Sequence, residues 1–270
     1  MATESTTAAF GFGEEESRRV EAIYLTPDIV AQRARVLAAL GLQPGERVVD
    51  LGCGPGLLAL EMAQRVGPEG EVQCIDASPS MVALATRRCS GQPGVQVRSG
   101  DVTALPYADG AFDAVVCVQV YEYVPEVDRA LAEVHRVLRP GGRAVIVDTD
   151  WESCVWHSSD PARMRRVVET WDLHCPHPQL PRTLERRLRG AAFEVEQVDA
   201  IPIVNRRYDA NTYSYGMIAT LARFASKRLG EDVANAWAED LRALGEGGEY
   251  FFSLNRFVFV ARKRAAGQAR

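Results

Sequence analysis

The stretch "RVVDLGCGPGLLALEM", residues 47–62, limits what this chain can fold into more than any other. A short apolar run ends on Asp50, Gly52, Gly54 and Gly56 follow at every second position, and a helical pattern begins directly after them. Glycine is the residue that tolerates positive φ and lets the backbone come close to a ligand. The stretch therefore reads as a buried strand, a tight turn and a helix, with a ligand site at the turn. Apolar strands and amphipathic helices alternate on either side of it. Helices are predicted over 15–25 and 28–40, the second opened by Thr26 and Pro27 as N-cap and first residue. After the turn come a helix over 57–66, the strand "EVQCID", and the helix "SPSMVALATRRC" with Ser78 as N-cap and Pro79 at its first position. "VQVRSGDV" and "FDAVVCVQV" are strands, 125–138 is a helix, and the turn Arg139-Pro-Gly-Gly142 leads into the strand "RAVIVDT". Such an order implies right-handed crossovers and a parallel sheet with helices on both faces.

The second half is different. Residues 150–188 are richer in Trp, His, Pro and Arg and read as helical pieces with loops between. "FEVEQVDAIPIV" and the closing "YFFSLNRFVFVARK" are strands, with helices over 211–229 and 231–244 between them. No repeat and no flexible linker divides the 270 residues, so one domain with an insertion is expected. A net charge of −5 with scattered basic residues gives no electrostatic footprint for nucleic acid. The opening "MATESTTAAF" lacks the basic start and apolar core of a secretion signal, and no run is long enough to span a membrane. The expectation is a cytoplasmic protein without nucleic-acid or membrane partners. Cys53, Cys74, Cys89, Cys117, Cys154 and Cys175 show no C-x-x-C pair and read as reduced thiols.

Which ligand suits the turn? A dinucleotide fingerprint needs G-x-G-x-x-G, so that a pyrophosphate can sit on the helix N-terminus. Here the spacing is G-x-G-x-G, Leu57 follows, and Asp50 stands where its charge would repel a pyrophosphate. Asp76, at the end of the next strand, is placed to grip the two hydroxyls of a ribose. A ribose-bearing cation such as S-adenosylmethionine fits both carboxylates, and NAD does not.

"VVDLGCGPG", "CIDASPSM", "SGDVTALPYADGAFDAVVCVQVYEYV" and "EVHRVLRPGG" together resemble the class I S-adenosylmethionine-dependent methyltransferases. Within them the chain is most similar to the small-molecule group typified by the ubiquinone and menaquinone biosynthesis enzymes. The likeness runs through 47–147 in order. It implies an α/β fold: a doubly wound, mostly parallel, seven-stranded Rossmann-like sheet with an antiparallel last strand and a helical insertion after strand five. The corresponding division is N-terminal helices over 1–45 covering the cofactor, a cofactor-binding core over 46–149, a substrate-side region over 150–250, a last strand over 251–262 and a tail over 263–270.

The resemblance also implies residue roles. Asp50, Gly52, Cys53, Gly54 and Gly56 would hold the methionine portion of S-adenosylmethionine. Asp76 would bind the ribose, with Ala77 and Met81 flanking the adenine. Asp101 would bond the adenine amino group and the Val102 backbone its ring, with Val118 under the methionine moiety and Tyr24 closing over the site. Each has a plainer reading as well. Asp50 could serve the turn, Asp76 a helix dipole and Asp101 a cap, while Met81, Val118 and Tyr24 could be core.

Methyl transfer from a sulfonium is an in-line displacement that mainly needs alignment and dryness, so a catalytic signature can be missing. Many relatives carry histidine near the end of strand four, where Glu122 and Tyr123 stand here. Asp150, His157 and His174 are the candidate catalytic groups, and Gln119, Tyr123, Trp151 and Tyr213 the candidate acceptor contacts. The predicted substrate is a small molecule, a secondary metabolite or quinone-like compound methylated on O, N or C, handled by a monomer or homodimer. Two alternatives remain. One is an arsenite or other thiol-bound metalloid methyltransferase, for which Cys154 and Cys175 lack a third partner. The other is a protein that binds the cofactor without turnover. No resident metal is expected.

Overall fold

The computed structural model describes residues 14–265. The first thirteen residues of the expected N-terminal segment and the last five of the expected tail lie outside them. Seven strands form one sheet: β1 (Arg47–Leu51), β2 (Glu71–Asp76), β3 (Val95–Ser99), β4 (Phe112–Val118), β5 (Leu138–Trp156), β6 (Phe193–Asn205) and β7 (Phe252–Lys263). Their order is β3-β2-β1-β4-β5-β7-β6, parallel from β3 to β5, with β7 antiparallel to both its neighbours. The strand order reverses between β1 and β4, and in such sheets the crevice at the carboxyl ends there takes the ligand.

Helices α1 (Glu14–Tyr24) and α2 (Pro27–Leu40) precede the sheet. On one face α2, α3 (Leu57–Val66) and α4 (Pro79–Cys89) bury Leu40, Met62 and Ala85 against β1, β2 and β4. On the other, α5 (Val127–Val137) and α7 (Pro181–Gly190) pack Leu131, Val134 and Leu184 against Leu51, Val115 and Ile146. A third apolar cluster lies beyond the carboxyl end of the sheet. There α6 (Pro161–Trp171), α8 (Tyr213–Leu229) and α9 (Glu231–Glu246) gather Trp151, Trp156, Trp171, Trp237 and Phe252.

Local details differ from expectation in instructive ways. Ser78 caps α4 as predicted, its hydroxyl accepting from the Met81 N–H. Thr26 does not cap α2, because its hydroxyl donates to Ile23 O at 2.7 Å in the preceding turn. Arg139 to Gly142 form a bulge within β5 rather than a turn before it, with Phe112 facing Leu138 and Ala114 facing Arg143. β5 then runs on to Trp156, through a stretch expected to be irregular. Ser153 makes this possible across a second bulge: its hydroxyl donates to Asp150 O and accepts from the Asn255 N–H. Lys263 closes β7, its ammonium on His135 O and Leu138 O.

Candidate functional site

The glycine turn leaves β1 with Gly52, Gly54 and Gly56 all at positive φ (69°, 52° and 78°). The Gly52 and Cys53 N–H groups donate to Ile75 O at 2.7 and 3.0 Å, which ties the turn to the end of β2. Close packing also demands the glycines. A Cβ on Gly52 would lie 2.3 Å from Val120 Cγ2, and one on Gly56 3.0 Å from Ala85 Cα. Above Gly54 there is room, with the Tyr24 ring 3.8 Å from where a Cβ would stand.

Asp76 holds the turn from β2. Its two oxygens accept the N–H groups of Gly54 and Ser78, each at 2.8 Å. A carboxylate has about four lone-pair sites, so each oxygen keeps one for a ligand hydroxyl. Burial raises its pKa, and the two backbone donors oppose the rise. Asp50 is 2% exposed, and its Oδ2 completes no hydrogen bond. Burial, then the negative charge of Asp76, push its pKa up to about 7. Two carboxylates thus face a space where a cation would relieve both and a pyrophosphate would worsen both.

The remaining predicted cofactor residues ring this turn. Met81 and Val102 are buried, Val118 is half-buried and Ala77 is exposed. Cys53 is buried, its thiol near that of Cys74. Asp101 is exposed, and its Oδ1 accepts the Thr103 N–H and hydroxyl, which is the cap geometry. Tyr24 is half-buried, and its phenol is raised by burial and by Asp76 and Glu122, against Arg256. Arg33 holds the end of α1 through Tyr24 O at 2.6 Å, and Arg88 joins Glu21 of α1 to Pro55 O of the turn.

At the carboxyl end of β4 and midway along β5 lies a buried polar network that sequence reasoning mostly missed. Gln119 sits at φ 58°, a left-handed conformation sparse for a residue with a side chain and concentrated at functional sites. Thr149 Oγ1 donates to Gln119 Oε1 at 2.6 Å and accepts from Arg256 Nε at 3.3 Å. Glu122 Oε2 accepts the Thr149 N–H at 3.2 Å, and the Glu122 N–H donates to Asp148 Oδ1 at 3.4 Å. Glu122 and Asp148 are wholly buried. Burial raises the pKa of both, Glu122 to about 7 and Asp148 well above its usual range, with Arg256 opposing. Arg256 also reaches Gln32 Oε1 and lies over the Tyr213 ring at 4.7 Å. An arginine inside the apolar run "FFSLNRFVFV" was the available signal for Arg256; Asp148 and Thr149 are marked by their place at the end of the predicted strand "RAVIVDT", and Gln32 had no signal.

The predicted catalytic trio does not converge. Asp150 is tied by two 3.0 Å bonds to the Arg182 guanidinium. His157 is exposed and lines an open groove of about 830 Å³ between outer β5 and α6, with Glu152, Cys154, Met164 and Phe251. His174 is buried, its Nδ1 2.6 Å from Trp171 O and its ring stacked 4.0 Å from that of Trp171. Burial pushes its pKa down to about 4. Of the predicted acceptor contacts, Gln119, Tyr123 and Trp151 do meet around Glu122, and Tyr213 lies beside Arg256. Cys154 and Cys175 share the aromatic cluster, whereas Cys53, Cys74 and Cys89 lie under the glycine turn and Cys117 in the opposite face of the sheet. Among the described residues no group of three His, Cys, Asp or Glu side chains is arranged to hold a metal ion.

Residues 49–146 match a family profile described as a methyltransferase domain. A demethylmenaquinone methyltransferase of Lactobacillus johnsonii is 36% identical over 120 residues, 43% of this chain and 49% of that protein. Residues 49–146 are thus a methyltransferase domain of the class I S-adenosylmethionine-dependent type. The likeness extends past this domain in an uncharacterised 37.1 kDa protein of transposon Tn4556 from Streptomyces fradiae, 35% identical over 228 residues, 84% of this chain and 65% of that one. The chain spans 49% and 65% of the length of these two curated relatives. Among solved structures, the 4+2 cyclase SpnF is 26% identical with a TM-score of 0.58, over 87% of this chain and 81% of its own. Among the described residues, no helix is long and apolar enough to cross a membrane.

Proposed function

We propose that the protein transfers the methyl group of S-adenosylmethionine to a small-molecule acceptor, with residues 1–45 covering the cofactor, 46–149 binding it and 150–250 shaping the acceptor side. The observation that carries this reading is the pair Asp50 and Asp76 around the glycine turn, the second already oriented by two backbone donors with lone pairs to spare. The bound cofactor supplies an activated methyl group on a good leaving sulfur. Asp76 binds the ribose hydroxyls, Asp50 and the turn face the ammonium, and Tyr24 closes the near side. The aromatic cluster of Tyr123, Trp151, Trp171 and Tyr213 keeps water from the reacting centre and offers flat apolar surface. It suits a quinone-like or polycyclic metabolite. The quinone methyltransferases among the relatives support that acceptor class. The reaction is placed in the cytoplasm and in a monomer or homodimer.

The likeness to a cyclase favours a second reading, in which the same fold binds the cofactor and performs no transfer. Thermal unfolding with S-adenosylmethionine, S-adenosylhomocysteine and NAD tests the cofactor first. A ligand at a hundred times its dissociation constant should stabilise the protein by ~2.7 kcal/mol. Shifts with the two adenosyl ligands, lost in Asp76→Ala, uphold the reading; a shift with NAD alone removes it. Release of S-adenosylhomocysteine with acceptors present then separates transfer from binding alone.

A further inference from the structure

Three buried polar atoms just after β4 and midway along β5 complete no hydrogen bond: Gln119 Nε2, Glu122 Oε1 and Asp148 Oδ2. They are one donor and two acceptors, and the Tyr123 and Trp151 side chains face the Glu122 carboxylate. All three belong to the network already described, through Thr149, Arg256 and the Glu122 backbone. Buried groups left open in this way are rare in folded proteins, and they collect where a ligand or water completes them. Val120, in the same turn, packs directly on Gly52 of the cofactor turn. The network therefore borders the place where the methyl group would be presented.

We infer that Glu122 is the general base of the transfer and that the acceptor carries an ionisable hydroxyl: a phenol, an enol or a hydroquinone. The inference rests on the cofactor reading above. As the acceptor oxygen attacks the methyl carbon, the O–C bond forms, the C–S bond breaks and its electron pair stays on sulfur. The hydroxyl proton passes to Glu122 Oε1 and leaves to solvent after the product departs. The side-chain N–H of Gln119 donates to the oxygen while it is electron-rich. A neutral amine attacks before it loses a proton and needs no base, so this arrangement of one carboxylate and one N–H donor matches oxygen better.

The other candidate bases are engaged elsewhere. Asp150 is held by Arg182, His174 lies on Trp171, and His177 Nε2 is 3.2 Å from Pro125 O. Burial raises both acids. Glu122 is favoured as the charged member by the Thr149 N–H, Arg256 of β7, and the Tyr123 and Trp151 side chains, whereas the charge of Glu122 adds to the rise at Asp148. Tyr24 of α1, Tyr213 of α8 and Cys175 also face it and stay neutral, all three raised by burial. Asp148 is a positioning residue, since it reaches the acceptor only through Glu122.

The test is an infrared difference titration of the complex with S-adenosylhomocysteine, in wild type, Glu122→Gln and Asp148→Asn. One carboxyl C=O band titrating near pH 7 is expected in wild type and Asp148→Asn and lost in Glu122→Gln, separate from the bands of Asp50 and Asp172, which Asp50→Asn and Asp172→Asn backgrounds remove. No Glu122-dependent band near neutrality would overturn the assignment, whether or not any acceptor is known. Labelled methyl transfer to a panel of phenols, enols and hydroquinones, each with its amine counterpart, forms the second arm. For any hydroxyl acceptor used, Glu122→Gln should lower kcat by about 10²–10⁴-fold and flatten the acid limb of the pH profile. KM for the cofactor should not change. Unaltered kcat in that variant, or use of amines alone, overturns the inference. Failure of wild type to bind S-adenosylhomocysteine at all would instead sink the cofactor reading.

Discussion

The proposed placement of Asp50 beside the cofactor ammonium predicts that cofactor binding depends on pH. The pKa of Asp50 rises from 3.8 to about 7 in the free protein, first through burial and then through the charge of Asp76. At 1.36 kcal/mol per unit, holding Asp50 ionised in that site costs about 4 kcal/mol relative to water. The sign follows from linkage. The folded pKa lies above the unfolded one, so without ligand, stability falls as pH rises from about 4 to 7 and levels off beyond. A ligand that places an ammonium beside Asp50 binds the ionised form. Its apparent affinity then grows with the ionised fraction, which increases roughly fifteenfold between pH 5.5 and pH 7 for a pKa near 7. Over that window the α-amino group, with a pKa of about 7.7–8.0, stays mostly charged and adds little slope of its own. Calorimetry in two buffers of different protonation enthalpy should show release of close to one proton at pH 6. In Asp50→Asn the release should disappear and most of the pH slope with it, while affinity at pH 7 falls. Wild-type affinity flat within twofold from pH 5.5 to 7, or an undiminished slope in Asp50→Asn, refutes the placement of the cation at Asp50.

Other consequences are local. Gly52→Ala adds a Cβ 2.3 Å from Val120 Cγ2 at φ 69°, and left-handed strain plus overpacking should lower stability by about 2–5 kcal/mol. Denaturant unfolding of the double variant with Val120→Ala should recover the packing share and leave the φ share; no coupling between the two would contradict the contact. His174, with its pKa lowered from 6.5 to about 4, contributes stability that is lost as pH falls through that interval, up to ~3 kcal/mol. A His174→Phe variant followed by urea titration should therefore lose less stability than wild type between pH 6.5 and 4; parallel curves would mean the imidazole is not buried neutral. Arg182→Met releases the carboxylate of Asp150, but the guanidinium is half-exposed, so unfolding free energy should change by less than about 1 kcal/mol. Methyl-transfer rate should survive Asp150→Asn within a few-fold, and a loss above a hundredfold would move the base from Glu122 to Asp150.

The cofactor side of the molecule is legible in the sequence because its constraints are local. Gly52, Gly54 and Gly56 are glycines for backbone reasons visible within five residues, and the Ser78–Pro79 start of α4 follows from capping chemistry inside one turn. Strand β5 was legible only to Thr149. Beyond it the alternation breaks at Glu152 and Ser153, and the strand persists because β7, a hundred residues later, supplies the Asn255 N–H. The acceptor side depends wholly on such distant pairings. Glu122 follows β4, Asp148 and Thr149 lie midway along β5, Arg256 sits in β7, Gln32 in α2 and Tyr24 at the end of α1, and no spacing in the chain connects them. The histidines drew attention because a free imidazole titrates near neutrality, and Asp150 because of its place after the fifth strand. The environment reassigns that property. Burial among tryptophans takes His174 below the useful range, an arginine on α7 holds Asp150 as an ion pair, and enclosure beside Asp148 carries Glu122 up into it. A general base is defined by its surroundings as much as by its residue type, and in this fold the surroundings are assembled by the sheet order rather than by any contiguous motif.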